Sequence, residues 1–157
     1  ATRESAEYEG MATTVAAVLV DGTTANIAHV GDSRIYLWSG GSISQLTSDH
    51  SWVNEQILSG VISPEQARNH PLRNVVTRAL GGRSDLLVDV QSRRMGPGEV
   101  LLLCSDGLTT MIGDEEIARI LGEAGGDVAR AATALVQEAN DRGGEDNITV
   151  VLLKFEE

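Results

Sequence analysis

Three aspartates in this chain stand where an apolar run meets a turn. They lie in Val30-Gly31-Asp32-Ser33-Arg34, in Ser105-Asp106-Gly107-Leu108 and in Glu145-Asp146-Asn147-Ile148-Thr149. Two of them have an adjacent glycine, which lets the backbone come close to whatever the carboxylate holds. Singly each is a weak signal, since Asp-Gly is first of all a turn dipeptide. Taken together they have a chemistry. Hard cations such as Mg²⁺ and Mn²⁺ bind through a few carboxylates and keep several waters. Two such ions side by side can lower the pKa of a shared water and hold phosphate oxygens. Three carboxylates converging without a cation would repel one another and push at least one pKa upward. Asp32, Asp106 and Asp146 are therefore the expected metal ligands, meeting at one rim. Ser33, Gly107, Asn147 and His50 are the expected supports around them.

The other reactive side chains read more plainly. Cys104 ends the apolar run Val100-Leu101-Leu102-Leu103 and cannot form an internal disulfide, being the one cysteine of the chain. It reads as a buried small hydrophobe, with Asp106 close by to raise a thiol pKa rather than lower it. His29 reads as a packing or hydrogen-bonding residue, His50 as a structural histidine with a second possible role near substrate, and His70 as a loop residue. Arg34 is expected to pair with an aspartate of the cluster. The formal glycosylation sequon Asn147-Ile148-Thr149 is set aside, because it opens a buried-looking strand.

The elements that must position these residues are legible from periodicity. Strands are expected over 11–20 and 24–30, joined at Asp21-Gly22, and over 33–38 and 42–46, joined at Gly40-Gly41. Residues 51–58 and the segment opened by Ser63-Pro64 have helical spacing and end before His70-Pro71. Strands over 75–79, 86–93 and 99–104 follow. A helix capped by Asp114 runs to about 121, and a second capped by Asp127 carries the apolar stripe Val128, Ala131, Ala132, Leu135, Val136 and Ala139. A last strand covers 147–155. The pattern is one α+β domain over residues 1–157, strands first and helices later.

Composition narrows the function. The 157 residues carry 12 basic and 23 acidic side chains, a formal net charge of −11, which disfavours nucleic acid and anionic membranes as partners. An acidic protein that handles phosphate needs cations to offset its own field. No apolar run is long enough to cross a membrane, and residues 1–10 are polar and acidic, unlike a signal peptide. The expected compartment is the cytoplasm.

Six segments, in order, resemble the bacterial type 2C (PPM) metal-dependent protein serine/threonine phosphatases. They are Met11-Ala12-Thr13-Thr14, Ile27-Ala28-His29-Val30-Gly31-Asp32-Ser33-Arg34-Ile35-Tyr36, Leu46-Thr47-Ser48-Asp49-His50-Ser51, Thr77-Arg78-Ala79-Leu80-Gly81, Leu102-Leu103-Cys104-Ser105-Asp106-Gly107-Leu108 and Asp146-Asn147-Ile148-Thr149-Val150-Val151. The resemblance implies a β-sandwich of two antiparallel sheets flanked by helices, with two or three Mn²⁺ or Mg²⁺ ions at one end. It implies that Asp106 and Asp146 bind the second metal of the catalytic pair, and that Asp32 binds a third, weaker one, shared with Asp106. It makes 49–72 a flap beside the site. It also implies that a metal-activated water, and no certain side chain, attacks phosphoserine or phosphothreonine in protein substrates of Ser/Thr kinases.

The departures are specific. The family carries, upstream of the Met-Ala-Thr-Thr strand, a phosphate-gripping Arg and an Asp-Gly-Met-Gly-Gly motif whose Asp bridges the catalytic metals; neither occurs here. Ala12 also stands where the family usually has Gly. These differences imply an N-terminally truncated domain with fewer or weaker metals and weak or no activity alone, and leave sheet edges uncovered through which a dimer could form. The competing reading is a non-catalytic, pseudophosphatase-like module that binds a phosphorylated partner.

Overall fold

The computed structural model describes residues 10–81 and 85–156; the acidic N-terminal residues 1–9, read above as unlike a signal peptide, lie outside the described residues. Two antiparallel sheets carry the molecule. Strands β1 (Val15–Asp21), β2 (Thr24–Val30) and β5 (Asp89–Arg94) form one, in the order β1-β2-β5. Strands β3 (Arg34–Ser39), β4 (Ser42–Gln45), β6 (Val100–Cys104) and β7 (Val150–Lys154) form the other, in the order β4-β3-β6-β7. The hairpins predicted at Asp21-Gly22 and Gly40-Gly41 both form, with Asp21 opposite Thr24 and Ser39 opposite Ser42.

Side-chain alternation builds a third layer. Ile35, Leu37 and Leu101 face the first sheet and pack with Ala25, Ile27 and Met95. Their neighbours Tyr36, Leu102 and Cys104 face the opposite way, onto helices α3 (Asp106–Thr109), α4 (Asp114–Glu123) and α5 (Val128–Asp141). A strand covered on both faces loses its polar–apolar alternation, which is why β6 reads as the unbroken run Val-Leu-Leu-Leu-Cys. The helical layer is locked by Leu108, Ile112, Ile117 and Leu135, all fully buried. The stripe predicted on α5 supplies Ala131, Leu135 and Ala139 to it. On the far side, the outer face of the first sheet carries Leu19 and Val90, 70% and 72% exposed.

Between β4 and β5 lie the helices α1 (Trp52–Leu58), capped by Ser51, and α2 (Pro64–Arg68), whose Ser63 and Gln66 make a capping box. Four expectations are corrected. Residues 75–79 form no strand; they run past the base of α1 and touch it at single points, through a lone Ser51–Val76 bridge and the bond from Trp52 N–H to Val75 O. A strand needs repeated pairing, and among the described residues this segment pairs only around that one bridge. Gly113, not Asp114, is the N-cap of α4; Asp114 occupies the first turn with Glu115 and Glu116, where negative charge suits the helix N-terminus. Residues 147–149 stay outside β7 because Ser105 takes up their backbone groups. Finally, Asp106 opens the unexpected short helix α3 rather than a simple turn.

Candidate metal centre

Strand register brings the predicted aspartates to one end of the sandwich. Arg34, Cys104 and Val150 stand side by side across β3, β6 and β7. The loop before β3, the loop after β6 and the loop before β7 therefore open at the same rim, and they contain Asp32, Asp106 and Asp146. The last two loops are stitched together. Ser105 N–H donates to Thr149 O (3.1 Å), and Thr149 N–H donates to Ser105 Oγ (3.0 Å). The Ser105 hydroxyl donates in turn to Asn147 O (3.0 Å).

Gly107 makes this approach possible. A Cβ there would lie 2.5 Å from Asn147 O and 3.4 Å from the carbonyl carbon of Asp146. Only a residue with no side chain lets the Asp106 turn rest against the Asp146 loop. Asn147 supports Asp146 with its backbone, its N–H donating to Asp146 Oδ1 (2.7 Å).

Asp32 is positioned from the other side. Gly31 has φ of +113°, and a Cβ on it would run into the side chain of Thr14. Thr14 Oγ1 lies 2.9 Å from Ser33 Oγ, so the start of β1 and the Asp32 loop hold each other. Gly81 lets the backbone at Met11 and Ala12 come close, since a Cβ on it would run into Met11 O.

Burial raises the pKa of Asp32 above its ordinary value, and the nearby Asp106 carboxylate raises it further. Carboxylates that raise one another in this way would be relieved by a cation between them. Asp32, Asp106 and Asp146 are not among the side chains whose ligand atoms are gathered closely in the described residues, but their oxygen donors would suit a hard divalent ion better than a thiolate- or imidazole-preferring metal.

Arg34 makes its ion pair outside this cluster, contrary to expectation, although its charge still favours the Asp32 carboxylate. Its Nε lies 2.9 and 3.0 Å from the two carboxylate oxygens of Asp49, its Nη2 donates to Asp49 Oδ2 (2.7 Å) and its Nη1 donates to Tyr36 OH (3.0 Å). Burial works against the Arg34 charge, but the Asp49 hydrogen bonds outweigh it and hold the guanidinium firmly protonated. Gln45 completes the group by donating to Asp49 Oδ1 (2.9 Å). The cation is spent as structure, pinning the start of β3 to the segment that leads into α1.

The histidines fall into two places. His70 stacks on Trp52, with centroids 4.8 Å apart, and its Nδ1 accepts from Leu72 N–H. His29 and His50 lie together under the Asp32 loop, 1% and 5% exposed, ring centroids 4.8 Å apart. With Asp89 they form a group whose candidate ligand atoms all lie within 4.8 Å of one another. Neither ring nitrogen of His29 has a well-formed hydrogen bond among the described residues; burial, then the neighbouring His50, lowers its pKa, and the backbone at Ser33 works against that shift. Sequence reasoning missed Asp89 and Arg78 as partners of His50. The one available signal was the register of β2 with β5, which sets His29 opposite Asp89. Cys104 is buried, and burial pushes its thiol up to about 12, so it is no nucleophile.

These features define a two-sheet, helix-backed domain, and the comparisons with known proteins agree with that fold. The family model for protein phosphatase 2C matches residues 1–152, and the chain belongs to that family. It is 42% identical over 152 residues to protein phosphatase PhpP of Streptococcus pneumoniae, covering 96% of this chain and 61% of that protein. It is 42% identical over 148 residues to serine/threonine phosphatase stp of Listeria welshimeri, covering 94% of this chain and 58% of that one. Among solved structures, the Mycobacterium tuberculosis phosphatase PstP/Ppp superposes with a TM-score of 0.93 at 37% identity, over 99% of this chain and 65% of that chain. A structure of the PstP catalytic domain in complex with two manganese ions superposes with a TM-score of 0.89 at 35% identity, over 99% of this chain and 64% of that chain. The chain spans about three fifths of the length of these relatives.

Proposed function

We propose that this chain is the larger part of a metal-dependent phosphatase that hydrolyses phosphoserine and phosphothreonine in proteins. The observation that carries this reading is the stitching of the Asp106 and Asp146 loops at the rim where Asp32 also opens. Asp106 and Asp146 would hold one Mn²⁺ or Mg²⁺ ion, and Asp32, with Asp106, a weaker one. A bound ion of this kind supplies an acidified water and a Lewis acid toward phosphate oxygens. The chain's own residues do the positioning. Ser105 and Gly107 hold the two strong ligands in register, while Gly31 and Ser33 hold the third. The segment 49–72, with α1 and α2, is the proposed flap over substrate.

Homologues named as serine/threonine phosphatases support the phosphoprotein substrate class, and a manganese-bound relative supports the metal class. Neither the phosphate-gripping Arg nor the bridging Asp implied by the family resemblance has a counterpart here. We therefore expect weak metal binding and slow turnover from these 157 residues alone. The test is phosphate release from a phosphothreonine peptide with Mn²⁺, for this chain and for Asp106→Asn. Slow, Mn²⁺-dependent release that Asp106→Asn abolishes supports the reading. Release that is unaffected by Asp106→Asn or by EDTA refutes it.

A further inference from the structure

The histidine group beneath the Asp32 loop has the outline of a metal site, with His29, His50 and Asp89 closely gathered. Two observations turn the reading elsewhere. Gly31 N–H donates to His50 Nδ1 at 3.1 Å, so that nitrogen's lone pair is committed and the proton of the neutral ring sits on Nε2. A ligating histidine has the reverse arrangement, with its far nitrogen donating and its near nitrogen bare. To bind a metal through Nε2, His50 would have to become an imidazolate. The second observation is Arg78, whose Nη1 stands 3.2 Å from the same Nε2, placing a fixed cation where the metal would go.

What the atoms form instead is a relay of position. His50 Nε2–H points at Asp89 Oδ2 (3.0 Å), and Arg78 Nη1 holds the other oxygen, Oδ1 (3.3 Å). At the opposite end, His50 grips Gly31 twice: its ring accepts Gly31 N–H, and its own N–H donates to Gly31 O (2.7 Å). His50 O then accepts from Thr77 N–H (2.8 Å), one residue before Arg78. Gly31 directly precedes Asp32. His50 in turn directly precedes Ser51, the cap of α1.

We propose that His50 is a positioning residue, oriented by Asp89 and Arg78, that fixes the Asp32 carboxylate at the rim and ties it to the root of the 49–72 segment. This rests on the reading of Asp32 as a metal ligand given above. A side chain that orients a ligand is commonly worth 10- to 100-fold in metal affinity. His29 packs on the His50 ring, with the ring centroids 4.8 Å apart.

The experiment follows three signals by NMR in the full chain: the imidazole nitrogen shifts of His50, the exchange rate of Gly31 N–H, and Mn²⁺ broadening of the Asp32 amide. His50 should report a protonated Nε2 and a bare Nδ1. His50→Leu should speed Gly31 exchange, and weaken Mn²⁺ broadening at Asp32, each by about 10-fold or more. His50→Asn, which returns an acceptor near the Nδ1 position, should restore most of both. Arg78→Met should give a smaller loss of the same kind with His50 intact.

The inference is overturned by a protonated Nδ1, by unchanged Gly31 exchange in His50→Leu, or by equal losses in His50→Leu and His50→Asn. It is also overturned if Mn²⁺ shifts the His50 ring signals in Asp32→Asn, which would make the group a metal site after all. No Mn²⁺ effect at Asp32 in the unaltered chain would sink this proposal and the metal role of Asp32 together. Normal relay signals with phosphate release that Asp106→Asn leaves unchanged would sink only the phosphatase reading.

Discussion

At the level of single residues, the site stores repulsion and depends on missing side chains. Asp32 is raised by burial and by Asp106, so the folded chain resists holding Asp32 as a carboxylate. The cost is present above the raised value and disappears as pH falls through that value toward the ordinary 3.8. Asp32→Asn should therefore melt at a higher temperature than the unaltered chain in EDTA near neutral pH. The advantage should vanish in melts on the acid side of the usual carboxylate range. Residues tuned for a ligand often trade stability in this way. Gly107→Ala tests the opposite feature. Its new methyl would press on Asn147 O, and overpacking of this kind costs about 1–3 kcal/mol. Denaturant melts should show that loss, and Mn²⁺ binding at Asp106 should weaken along with it, because the only relief is to part the two loops.

At the level of elements, local chemistry explains most starts and stops, and the exceptions have visible causes. Asp127 caps α5 by accepting from Arg130 N–H (3.0 Å). Asp127→Ala should cost about 1 kcal/mol in urea melts, while Asp114→Ala in α4 should cost less, since Asp114 makes no capping bond and only complements the helix N-terminus. The Ser63 capping box and Pro64 were readable three residues at a time. Residues 75–79 were not. Their Val-Val-Thr composition favours a strand, but strand formation is decided by a partner, and the chain passes there along α1 instead of along another strand.

At the level of the whole molecule, the described residues cover the inner sheet on both faces and the first sheet on one. Leu19 and Val90 stand on its uncovered face. Replacing both with Ser should change the unfolding free energy by less than about 0.5 kcal/mol each, against several kcal/mol for truncating the fully buried Leu108 or Leu135 to Ala. The double variant should also stay soluble at higher concentration, as removal of exposed apolar area predicts. A large stability loss in that variant would mean that the face is covered in solution. Among the described residues no helix is long and apolar enough to cross a membrane.

The sequence by itself determined the alternation of the strands, the hairpin turns, the apolar stripe of α5 and the types of residue able to hold a hard cation. Each of these depends on neighbours within a few positions, where periodicity and turn chemistry act directly. It also carried the resemblance to the phosphatase family, since the motifs stand in order along the chain. Tertiary structure alone decided that Arg34 answers Asp49 rather than the aspartate cluster, and that His50 sits between Gly31 and Asp89. It alone decided that Gly107 is needed for contact with a loop forty positions away. The physical reason is that charge pairing and close packing act through space. Which carboxylate meets which cation is set by sheet register and loop path, and neither is written in the spacing of the residues concerned.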